Sequence, residues 1–241
     1  MSAPAPSLAL TRRLFAEALG SALLVAAVIG SGIAAQRLSP NDTGLQLLEN
    51  ALATGGVLVV LIWVLGPVSG AHFNPVVSAV DAWFGGLARR EVAPYVVAQV
   101  VGACLGAMLA NLMFGLPAVT VSDHVRDGGG VLLSEVVATF GLLLVILGLV
   151  RAGRSSIVAP AVAAYIVGAY WFTASTSFAN PAVTIGRTLS NTFAGIAPVS
   201  VPGFVVAQCV GGAVAAFAVV VLWPSPSHEH AVALDVLDET R

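Results

Sequence analysis

Two short apolar stretches that each open on Asn-Pro restrict this chain more than any other feature. They run at about 74–85, following SGAHFNP, and about 180–190, following TSFANP. Neither can cross a bilayer, which needs roughly 20 apolar residues. Six other stretches can, at approximately 13–35, 45–66, 91–114, 131–150, 156–174 and 202–223. Proline is well placed in the first turn of a helix, where its missing N–H is not needed. Each short stretch therefore reads as a half-helix starting near its proline, with its N-terminus held at membrane depth. Only 9% of residues are charged and 58% are hydrophobic, whereas an ordinary soluble domain carries about 25% charge. In lipid only helix bundles and closed barrels satisfy their backbones, and long apolar runs without alternation select helices. The expected fold is an all-α membrane protein, six transmembrane helices plus two re-entrant half-helices. It forms one domain over 1–241, with polar tails at 1–10 and 225–241.

Other function classes find little support. A net charge of −2 offers nothing to a nucleic acid. There is no His/Cys/Asp cluster with metal spacing and no nucleophile–base arrangement, so no enzyme, metal or cofactor is expected. His228 and His230 in the tail are a weak metal hint. Cys104 and Cys209 fall inside apolar runs and read as small buried hydrophobes, not as a disulfide. The first apolar run is too long for a secretory signal and reads as a retained span. All ten basic residues are arginines. With six spans, Arg12, Arg13, Arg89, Arg90, Arg151, Arg154 and Arg241 share one side, and Arg37, Arg126 and Arg187 the other. The positive-inside rule then puts both termini in the cytoplasm.

The two halves repeat. AEALGSALLV, SGAHFNPVVSA and AQVVGACLGA in the first half answer to SEVVATFGLLL, TSFANPAVTIG and AQCVGGAVAA in the second. The pairs are Glu17 with Glu135, Asn74 with Asn180, and Gln99 with Gln208, at offsets of 118, 106 and 109 by subtraction. Three spans per half is odd, so the second copy, about 130–223, enters the membrane inverted relative to the first, about 12–114.

A Glu in the first span of each half, with an Asn-Pro half-helix in each, resembles the aquaporin or major intrinsic protein family. The likeness covers roughly residues 12–223. It implies a homotetramer in the bacterial inner membrane with a pore in every subunit. Convergent half-helix N-termini place partial positive charge and free N–H groups at one point. Together with the Asn74 and Asn180 amides they would welcome neutral solutes and oppose cations and a proton chain. The motif residues Asn74, Pro75, Val76, Asn180, Pro181 and Ala182 are thus the candidate pore centre, with simple helix capping as the plainer role of each Asn. Glu17 and Glu135 are read as acceptors for loop N–H groups, with a proton relay as the alternative. His72 in SGAHFNP is a candidate for the cytoplasmic pore lining, or simply a hydrogen-bonded loop residue. Gly102 and Gly106 form a small face for close helix crossing.

The chain departs from the family at the filter. Counted without gaps from the two asparagines, the four filter positions fall on Thr54, Gly168, Ser177 and Val183. The usual arginine three residues after the second Asn is Val183 here. Such a ring would be wide and mostly uncharged, fit for water plus glycerol-like polyols. NPV in the first half and SFANPAVT in the second resemble bacterial aquaporin-like proteins associated with arsenic resistance, which implies metalloid acids such as arsenous acid. A water-selective aquaporin and a proton-coupled transporter remain the alternatives. Arg187, one turn beyond Val183 on the same face, is a candidate for the outer vestibule, where it would attract or orient oxyanionic solutes, or an arginine snorkelling to the interface or holding a loop. Its counterpart in the first half is Asp81.

Overall fold

The computed structural model describes residues 8–223; the tail from 224 onward, with His228 and His230, and residues 1–7 lie outside the described residues. Eight α-helices follow in order: α1 (Leu10–Leu38), α2 (Thr43–Ser69), α3 (Pro75–Trp83), α4 (Val92–Met113), α5 (Gly129–Arg151), α6 (Val158–Phe172), α7 (Pro181–Gly186) and α8 (Val201–Leu222). Short 3-10 turns lead into α4, α6 and α8 and extend α7 through Leu189. Six helices, all but α3 and α7, are long and apolar enough to cross a membrane. This is a multi-pass membrane protein, all-helical among the described residues.

The packing repeats as the sequence does. α1 lies against α2 and α4, and α5 against α6 and α8. The half-helices then interlock the copies, α3 packing on α8 and α7 on α4. Because lipid supplies no hydrophobic drive between helices, close backbone contact has to do the work. Gly102 and Gly106 of α4 sit against the carbonyls of Ala18 and Ala22 of α1, and Gly211 of α8 against that of Val136 of α5. A Cβ at Gly102 would strike the backbone of Ala18, which cannot swing aside. Gly102→Val is therefore expected to lower the melting temperature of the purified protein, with a cost of about 1–3 kcal/mol or more from overpacking. An unchanged melting curve would mean that the α1–α4 crossing is looser than the structure has it.

Cys104 is half-buried and Cys209 is exposed; both are free. Cys209 is thus not the buried hydrophobe expected from its apolar run. It lines an outward-facing apolar groove between α3, α4 and α8.

Candidate functional site

Both Asn-Pro turns are built alike. Asn74 Oδ1 accepts from Val76 N at 3.0 Å, and Asn180 Oδ1 from Ala182 N at 2.9 Å and Val183 N at 3.2 Å. The prolines occupy the first turns of α3 and α7. The amide nitrogens cross between the halves: Asn74 Nδ2 donates to Ala179 O and Asn180 Nδ2 to Phe73 O, both at 2.7 Å. The half-helices consequently abut N-terminus to N-terminus. An amide has two N–H groups, so one on each Asn is left for the cavity that both residues line.

The loops leading into these caps are strained at matched positions. Ala71 (φ 51°) and Phe73 (φ 49°) answer to Ser177 (φ 51°) and Ala179 (φ 50°). Non-glycine residues in the left-handed region cost of order 1–3 kcal/mol each unless the surroundings hold them. Glu17 and Glu135, both fully buried, do the holding. Glu17 Oε1 accepts from Ser69 Oγ at 2.6 Å and His72 N at 3.0 Å, and Oε2 from Phe73 N at 2.7 Å and Gln99 Nε2 at 2.8 Å. Glu135 Oε1 accepts from Phe178 N at 2.9 Å, and Oε2 from Ala179 N at 2.9 Å and Gln208 Nε2 at 2.6 Å. The glutamines are anchored in turn, Gln99 Nε2 donating to Ser78 Oγ at 2.9 Å and Gln208 Nε2 to Thr184 Oγ1 at 3.0 Å.

A cavity of about 580 Å³ runs between the two halves. Tyr170 and Arg187 line one mouth, Asn74 and Asn180 the middle, and His72, Asp81 and Ser155 the other mouth. Much of the wall between is aliphatic, including Val28, Leu58, Leu142 and Val162. His72 Nδ1 lies 3.0 Å from Ser78 Oγ, and its Nε2 is 3.5 Å from Asp81 Oδ2. Thr54, Ser177 and Val183 line the cavity with Arg187.

Several expected positions lie elsewhere. Gly168 is on the exposed face of α6 and does not line the cavity. Tyr170, two residues on, does, and its hydroxyl is 3.2 Å from Thr54 Oγ1. The segment between α6 and Ser177 is thus used differently from an ungapped count, and a bulky phenol stands where a bare glycine was expected. Pro75, Val76 and Pro181 turn away from the cavity toward the outward groove. Val76 also meets Gly212 of α8, so its methyls go into packing. Ala182 is buried in the core. Arg187 does not snorkel outward: it is 2% exposed. Its Nε donates to Ala194 O, and its guanidinium carbon lies 3.4 Å from the centre of the Phe178 ring.

Residues 5–178 match the family described as major intrinsic protein. The chain is 56% identical to aquaglyceroporin AqpS of Rhizobium meliloti (strain 1021) over 202 residues, 84% of this chain and 86% of that one. The chain belongs to the major intrinsic protein family. A probable aquaporin, AqpM, of Archaeoglobus fulgidus is 30% identical over 79% of this chain and 87% of its own. Among solved structures, the aquaglyceroporin from Plasmodium falciparum superposes with a TM-score of 0.68 at 23% identity, over 86% of this chain and 94% of that one. That likeness establishes the major intrinsic protein fold: six spans and two half-helices around a cavity.

Proposed function

We propose that this protein is a passive channel for small neutral polar solutes, conducting through the cavity between its halves. The observation that carries the reading is the path itself, lined by polar groups at Tyr170 and Arg187, at the paired asparagines, and at His72 and Asp81. A neutral solute gives up hydration on the aliphatic wall and regains hydrogen bonds at these stations. Convergence of α3 and α7 N-termini at the middle opposes cations there. We take Thr54, Tyr170, Ser177 and Val183 as the narrow ring, with Arg187 one turn outward.

Relatives named aquaglyceroporin and, in Streptococcus pneumoniae, glycerol uptake facilitator protein support glycerol and water as solutes. Arsenous acid, neutral near pH 7 and about glycerol-sized, belongs to the same proposal. Both termini are taken as cytoplasmic in a bacterial inner membrane, with Arg187 at the outer mouth, and the subunits as a homotetramer.

One observation favours a second reading. Tyr170 narrows the ring relative to a glycine, which suits a water-selective channel. Stopped-flow light scattering on proteoliposomes separates the two by comparing water, glycerol and arsenous acid flux. Glycerol flux above that of empty liposomes, indifferent to a proton gradient, is the expected result. Water flux alone would favour the water-selective reading, and flux driven by a proton gradient would remove the channel altogether.

A further inference from the structure

The mouth at Arg187 carries more positive charge than a path for neutral solutes requires. Arg126, in the segment before α5, lies with its guanidinium carbon 5.1 Å from the centre of the same Phe178 ring that Arg187 covers. Its Nε donates to Gly195 O at 2.9 Å and its Nη2 to Phe193 O at 3.2 Å. Both arginines are thus tied to carbonyls of one segment, 193–195, and both lie against the Phe178 ring.

Neither arginine has a carboxylate partner among the described residues, where the ion pairs are Arg13 with Glu91 and His72 with Asp81. Glu135 is close enough to act on both electrostatically. Its oxygens, however, are taken by Phe178 N, Ala179 N and Gln208 Nε2. Asp123 and Asp127 lie in the same loop with exposed side chains and make no ion pair. Burial draws Arg126 down to about 10, which still leaves it a cation at neutral pH. Neither Nη of Arg187 finds a protein acceptor among the described residues, and the residue lines the cavity.

We propose that this mouth binds a small monovalent oxyanion, held by the Arg187 guanidinium fork with Arg126 as the second charge, and that the bound ion obstructs the solute path. A planar fork of donors matches an oxyanion in two-point contact. A site lined by one sign of charge between low-dielectric walls concentrates the opposite ion. Two features hold the ion back against the pull of the half-helix N-termini. The wall beyond is lined by Val28, Leu58 and Leu142, where an ion loses its hydration without replacement. Asp81 at the far mouth repels whatever anion approaches it. The site is therefore inhibitory, acting on the channel proposed above.

Nitrate is a suitable probe because its charge does not vary with pH. Glycerol flux into proteoliposomes is measured with nitrate, or chloride at equal ionic strength, on both sides. Nitrate is expected to slow the flux saturably, by about two-fold or more relative to chloride. With each variant's flux in nitrate compared with its own flux in chloride, Arg187→Gln and Arg126→Gln should each abolish the difference, and Arg187→Lys should keep only part of it. Nitrate should also raise the melting temperature of the purified wild type relative to chloride, and not that of either Gln variant. This second readout needs no transport. If glycerol does not permeate, the glycerol reading fails and the melting shift alone decides the site. Equal behaviour in nitrate and chloride, or a nitrate effect that survives both Gln variants, overturns the proposal.

Discussion

Val183→Arg is expected to suppress glycerol and arsenous acid flux by about ten-fold or more while leaving much of the water flux, because pore diameter and lining donors set selectivity. Val183 is buried on α7, lines the cavity, and gives its N–H to Asn180 Oδ1. An arginine there sends a long, charged side chain across the proposed ring, where Tyr170 also lines the cavity. It also stands one helical turn from Arg187, so the two guanidinium groups repel each other and the new one is pushed toward the lumen. Val183→Leu separates bulk from charge: it narrows the ring without adding a cation and should cause a smaller loss of the larger solutes. Stopped-flow scattering on matched amounts of folded protein checks both. If the arginine variant conducts glycerol like wild type, Val183 is not at the narrow point. If water and glycerol are lost together, the path is blocked, not filtered.

How far the proposed filter could be read from the sequence depended on the distance from a landmark. Ser177 and Val183 lie three residues on either side of Asn180, whose cap fixes the local geometry, and both line the cavity. Gly168 lies twelve residues back, beyond the loop between α6 and α7. Nothing in the letters AYWFTASTS reports how that loop spends its length. The structure has Thr173, Thr176 and neighbours turning through a hydrogen bond at 3.2 Å and a left-handed Thr176, and brings Tyr170 to the cavity. Thr54 comes from the opposite half, and the polar partner it meets is Tyr170. Only the fold could establish that pairing.

The six spans and two half-helices were legible because length and apolarity in lipid leave few alternatives. The outer mouth was less so. Arg187 carried a signal, being a lone cation one turn past an altered motif. Arg126 carried none, since a loop arginine is ordinary until its guanidinium is seen on Phe178. The strained loops were equally silent. Strain at positive φ is usually announced by glycine, yet the four matched positions are Ala71, Phe73, Ser177 and Ala179. What revealed the loops indirectly was the duplicated buried Glu, whose purpose is to hold them.

That purpose makes Glu17→Gln, and its counterpart Glu135→Gln, severe changes. Glu17 offers acceptors alone, to two backbone N–H groups, one hydroxyl and one amide. A glutamine keeps the shape but presents an NH2 to one side of that set, so a donor faces donors. Bonds to a charged acceptor contribute about 1.5–3 kcal/mol each, and here they hold Phe73 in the left-handed region beside a fully buried chain. Losing one side of the set should cost at least about 3 kcal/mol, a large share of the 5–15 kcal/mol typical of a native state. The expected result is a several-fold lower yield of monodisperse protein and a lower melting temperature. The molecules that do fold should keep the pH dependence of solute flux seen in wild type. A proton relay predicts the reverse pattern, because its chemistry needs the ionisable group and its fold does not. Normal yield with an altered pH profile for either variant would show that these carboxylates work on protons and not on the loops.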